Sequence, residues 1–153
     1  MSGAVGVLEV AAVAKGVLVA DICLKTAKVE LLSAQAVCPG KYMIIIGGEV
    51  SAVKEAVQAS LKAVEEIADS VIMGNIHDQV FAAIAGQTPI KNEGALGIIE
   101  LYSVPAGIMS ADIAVKAAQV HLVDLQLARG MAGKAVLYLR GEIGAVQVAV
   151  ENV

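Results

Sequence analysis

The sequence predicts an α+β protein made of two tandem ferredoxin-like (split βαβ) units, the second of them C-terminally incomplete. Three observations carry this. Residues 4–10, AVGVLEV, return as ALGIIEL at 95–101; a run of apolar residues at helical spacing follows each; and the two copies stay in register across most of the chain. Pairing residue 4 with 95 gives an offset of 95 − 4 = 91, with identities that include Gly6/Gly97, Glu9/Glu100, Val13/Val104, Gly16/Gly107, Asp21/Asp112 and Lys25/Lys116. Further on, Gly40-Lys41 matches Gly133-Lys134 and the offset becomes 134 − 41 = 93, so the second copy carries a two-residue insertion. A period of about 90 residues exceeds the roughly 20–50 of solenoid repeats and marks a duplicated domain.

Each element has its own signal. The opening runs are β-prone. Val13, Val17, Ala20, Leu24 and Ala27 then follow the spacing of a helix face, and Val104, Ile108, Ala111, Val115 and Ala118 repeat it. Residues 29–37 and 42–47 are β-prone and flank Cys38-Pro39-Gly40-Lys41, a hairpin whose turn uses the backbone preferences of Pro and Gly. A second helix is expected on the stripe Val50, Val53, Val57, Leu61 and Val64. Ser70–Met73 reads as an edge strand, Ile76–Ile84 as a short helix, and residues 85–94, AGQTPIKNEG, as a linker. The expected units are therefore 1–84 and 95–153, packed side by side, each an antiparallel sheet with helices on one face. Residue 153 aligns with 153 − 93 = 60, so the second copy lacks a counterpart of 61–83.

Composition narrows the function classes. Hydrophobic residues make up 58% of the 153, aromatics 3%, and the mean hydropathy is +0.75. The longest uncharged stretch, Gln79 to Ile90, is only 12 residues, against about 20 for a spanning helix, so no membrane partner is expected. With no basic-plus-apolar leader the chain reads as cytoplasmic. Its apolar excess, held in Ala and Val, points to a large subunit interface. A net charge of −4 argues against nucleic acid. Two cysteines are too few for a disulfide framework. No nucleophile–base pair, phosphate loop or carboxylate dyad is present, so an enzyme is not expected.

VGVLEV, the DICLKTAKV run at 21–29 and GGEVSAV at 47–53, echoed by LGIIEL, residues 112–120 and RGEIGAV at 140–146, resemble bacterial microcompartment shell domains. With VCPGK at 37–41 and GNIHDQV at 74–80, the tandem arrangement is most similar to the tandem-domain, propanediol-utilisation type within that family. The resemblance implies a homotrimer whose six domains form a pseudohexagonal tile among other shell proteins of a compartment facet. It also implies a cysteine at the threefold axis holding a [4Fe–4S] cluster, for electron transfer or cluster delivery across the shell and with encapsulated redox enzymes as further partners.

Cys38 is the residue that would carry this. One thiolate cannot hold a cluster, but three chains meeting on an axis supply three. The plain alternative is an unmetallated small residue at a tight turn. If the central loops line a pore, Pro39, Gly40, Lys41, Arg129, Gly130, Met131, Ala132, Gly133 and Lys134 border it, and the lysines would attract anions; otherwise they are solvated turn residues. Lys25 and Lys116 sit four residues after Asp21 and Asp112, which suffices for a helix-surface ion pair, while the family resemblance gives them, and His77, a tile-edge role. Cys23 reads as packing, and His121 carries no assignment. Two other functions stay open: a metal-free gated metabolite pore, and a ligand-binding regulator or enzyme on a ferredoxin-like scaffold.

Overall fold

A computed structural model describes residues 3–89 and 94–153, so residues 90–93 of the expected linker lie outside the described residues. The first copy runs β1 (Ala4–Val10), α1 (Val13–Thr26), β2 (Glu30–Val37), β3 (Lys41–Gly48), α2 (Val50–Ala63), β4 (Ile67–Gly74) and a short α3 (Asp78–Ile84). The second runs β5 (Ala95–Leu101), α4 (Val104–Ala117), β6 (Val120–Leu127), β7 (Ala135–Gly141) and α5 (Ile143–Glu151). The sheets are ordered β2-β3-β1-β4 and β5-β7-β6, with antiparallel neighbours throughout. Both copies are the expected mixed α/β unit, and the second is shorter. Even the irregularities repeat: the β2–β3 register shifts between Leu31 and Ser33, and the β6–β7 register between Leu122 and Asp124.

Glycine sets how closely helix meets sheet. A Cβ on Gly16 would lie 2.3 Å from Tyr42 Cβ, and one on Gly107 would lie 2.4 Å from Ala135 Cβ. Only a bare Cα lets α1 and α4 settle onto β3 and β7 at that distance. Each helix then buries a small-residue face on its own sheet: Gly16, Val19, Ala20 and Cys23 in α1, and Gly107, Ser110, Ala111 and Ala114 in α4. Among the described residues, Cys23 is held as packing: it is buried, with Sγ 3.2 Å from Ser60 Oγ.

Two expectations change here. The stripe Val13, Val17 and Leu24 was expected to be the core face of α1, yet all three are exposed. Their equivalents Val104 and Ile108 are fully buried, because α4 also packs against β1 and β4 of the first copy. In α2 likewise, Val50 and Leu61 are exposed, and Val53, Ala56, Val57 and Ser60 form the buried face. Helices on one face is the second. β1 is buried on both sides, with Leu8 and Val10 in the core under α1 and α2, and Val5 and Val7 in a larger core shared with the second copy. α3 joins that shared core and packs on β6 and α4.

Candidate functional site at the junction of the two copies

Alternation along β1 sends Val5, Val7 and Glu9 to the same side. That side faces α4. Glu9 is fully buried there, and its two carboxylate oxygens are both used: Oε2 accepts the Val104 N–H at 2.7 Å, and Oε1 pairs with Lys41 Nζ. A carboxylate at the first turn of a helix opposes the exposed N–H dipoles, so this contact fixes the start of α4 against the first copy. Ser103, the residue before α4, adds a second acceptor: its Oγ takes the Ala106 N–H at 3.2 Å and donates to Asp69 Oδ2.

The hairpin turns of the two copies meet close by. Cys38 N–H donates to Ala128 O at 2.8 Å, across copies. A Cβ on Gly133 would come within 3.2 Å of Pro39 Cδ and 3.4 Å of Lys41 Nζ, which shows how tightly the loops abut. Left-handed backbone at Gly40, Gly130 and Gly133 makes these turns possible, and Ala128 and Ala132 share that conformation. The Cys38–Pro39 peptide is cis. Cys38, Pro39, Gly40, Arg129, Gly130 and Ala132 are exposed, Met131 is half-buried, and Arg129 Nη2 donates to Gln35 Oε1 at 3.3 Å. The cysteine is an exposed free thiol.

The lysines are not the free charges expected of them. Lys41 is paired with buried Glu9, and Lys134 with Glu100 at 3.0 Å, its ammonium 5.6 Å from the Tyr102 ring. The hydrogen bond and charge of Glu100 hold the Lys134 pKa above the usual lysine range. Each lysine thus stands beside a glutamate of its own copy.

On the far side of α4, Asp112 Oδ1 accepts the His77 N–H at 2.9 Å, its Oδ2 pairs with Lys116, and Lys116 Nζ donates to Asn75 O at 2.8 Å. His77 Nδ1 accepts from Gln79 N at 3.2 Å and caps α3. Lys25 and Asp21, the equivalent pair on α1, form an exposed ion pair at 2.7 Å. The junction thus brings His77 and Lys116 together, and leaves Lys25 apart. Among the described residues no group of His, Cys, Asp and Glu within one chain could hold a metal ion. Sequence reasoning missed Glu9, although its signal was visible: a carboxylate repeated inside an otherwise apolar strand.

Two copies of one α/β unit, joined where buried Glu9 of the first accepts the Val104 N–H of the second and where their hairpin turns meet, define a tandem-domain protein. The chain belongs to the bacterial microcompartment shell family: the BMC domain matches residues 4–76 and 95–153. It is 40% identical over 151 residues to the bacterial microcompartment shell protein PduT of Citrobacter freundii, covering 98% of this chain and 82% of that one. The carboxysome assembly protein CcmO of Synechococcus elongatus is 27% identical, across 98% of this chain and 58% of its own length. Among solved structures, a microcompartment protein from Desulfitobacterium hafniense superposes with a TM-score of 0.85 at 41% identity, covering 97% of this chain and 83% of that one. The fused permuted hexameric shell protein of the RMM microcompartment follows at a TM-score of 0.72 and 26% identity, over 97% and 77%. As a member of this family the chain is a structural shell subunit, not an enzyme. No helix among the described residues is long and apolar enough to cross a membrane.

Proposed function

We propose that three copies close into a pseudohexagonal tile of the shell facet, with the Cys38 loops at its centre, and that the three Cys38 thiolates hold a [4Fe–4S] cluster. The observation that carries the reading is Cys38 itself: an exposed, unpaired thiol on the turn where the two copies' loops touch, through the bond from Cys38 N to Ala128 O. One such thiol per chain suits a site completed by two further chains, and thiolate is the donor that iron–sulfur clusters take. Bound there, a cluster would supply one-electron transfer between the two faces of the shell, or be handed to enzymes within. The chain's part is to hold each thiolate on a turn anchored by the neighbouring loop.

Protein purified without oxygen should be brown, with iron and acid-labile sulfide at one cluster per trimer, and Cys38→Ser should lose both. Colourless, iron-free wild type after reconstitution with iron and sulfide under reducing conditions overturns the cluster and leaves a metal-free pore. The ring itself is checked by mass in solution.

A further inference from the structure

A cleft of about 360 Å³ lies between the two copies, reaching from the second turn at Arg129 to the end of α3 at residues 83–86. That volume falls within the about 300–1,000 Å³ of small-molecule sites. Its apolar wall is Met43 of β3 with Leu125 and Leu127 of β6, all three buried in the core that the copies share. Its polar wall comes from matching positions of the two copies: Ser33 and Gln35 on β2, and on β6 their equivalents at the offset of 91, Asp124 and Gln126. Arg129 completes it. The cleft therefore holds one acid and one base, and both belong to the second copy alone: serine stands in the place of Asp124 in the first, and the basic residue of the first turn, Lys41, matches Lys134 rather than Arg129.

These two charges do not neutralise each other. Arg129 Nη2 donates to Gln35 Oε1 at 3.3 Å, and Asp124 Oδ2 accepts from Gln126 Nε2 at 2.9 Å, while neither residue takes part in an ion pair among the described residues. Each partner is an uncharged amide. It orients the charged group and leaves the charge uncancelled, with further N–H donors on the guanidinium and a second oxygen on the carboxylate still to be used. We propose that the cleft binds a small aliphatic zwitterion, its carboxylate on Arg129, its ammonium on Asp124 and its methylenes over Met43, Leu125 and Leu127. The planar fork of Arg129 suits a carboxylate. Two opposite charges set along one apolar wall also discriminate, because a ligand with only one charge covers the other without pairing it. The whole site lies within one chain, so it needs neither the ring nor the cluster.

The test is a methyl NMR titration of this chain with γ-aminobutyrate and ε-aminocaproate, against butyrate and butylamine, with the Met43, Leu125 and Leu127 signals locating the binding. The better zwitterion should bind about tenfold or more tightly than butyrate or butylamine, the difference that one charge-assisted hydrogen bond makes. Asp124→Asn should remove its advantage over butyrate, and Arg129→Gln its advantage over butylamine, with circular dichroism unchanged. A merely structural role for either residue would weaken all four ligands alike and overturn the assignment. Zwitterions that shift none of the cleft methyls, that bind no better than butyrate or butylamine, or that bind both variants as well as wild type overturn the proposal, and leave the ring and the cluster to their own measurements.

Discussion

Replacing Glu9 with alanine tests the junction directly. The substitution leaves the Val104 N–H without its 2.7 Å acceptor inside a closed interface, which costs about 1–3 kcal/mol. It also strands Lys41. Removing one member of a fully buried ion pair costs roughly 3–5 kcal/mol, but the Lys41 side chain keeps 26% of its surface in solvent and can turn its ammonium outward. The expected loss is therefore about 2–4 kcal/mol, between the two cases. Glu9→Gln keeps the volume and an oxygen for Val104, so it should lose about half of that. Urea unfolding followed by far-ultraviolet dichroism measures both, with every variant at one protein concentration so that any association contributes equally. Glu100→Ala removes an exposed pair and should move the midpoint much less. Equal effects from Glu9→Ala and Glu100→Ala, with unchanged denaturant slope, would refute the buried-junction argument.

Two further outcomes follow from packing and burial. Gly16→Ala puts a methyl 2.3 Å from Tyr42 Cβ; it should destabilise by about 1–3 kcal/mol through overpacking despite the better helix propensity of alanine, and a neutral or stabilising result in thermal unfolding would mean that α1 shifts freely. In cluster-free native protein a thiol reagent should label Cys38 alone, and Cys23 only after denaturation. Burial pushes the Cys23 thiol up, against the weaker pull of the Ser60 hydrogen bond. Its folded value lies above the unfolded one, so its contribution is whole below the ordinary thiol range near about 8.5 and is lost as pH rises through the folded value. The urea midpoint should then fall at alkaline pH more steeply in wild type than in Cys23→Ala.

Strand and helix order was legible because period-2 and period-3.6 patterns are local, and the duplication offered each pattern twice. What misled was the ownership of apolar stripes. Val13, Val17 and Leu24 mark a face to be buried, but periodicity cannot say against whom; α4 shows the same stripe covered by the other copy. The stripe of α2 misled differently, since small residues such as Ala56 and Ser60 fill the tight face while Val50 and Leu61 stay outside. Lys41 beside a glycine turn suggested a free ammonium, because the carboxylate that neutralises it stands on another strand. Glu9 and Val104 are 95 residues apart, and no local rule links them.

Comparing the copies separates what must be alike from what is free to differ. Glu9 with Lys41 and Glu100 with Lys134 keep the same residue types and the same pairing. The ring proposed above would ask for this, since a regular step requires the join within the chain and the join between chains to turn by the same amount. The turn tips obey no such rule. The first is short and carries Cys38, while the second is two residues longer and bears Arg129 and Met131. Single-domain chains in a sixfold ring would repeat any thiol six times about the axis. A duplicated chain presents it at alternate positions, where three thiolates can serve one small centre and the longer loops between them can do something else. A cysteine on one loop tip and an insertion in the other, beside a glutamate–lysine pair kept in both copies, are the pattern expected if the tile's centre, rather than its body, carries the chemistry that distinguishes it.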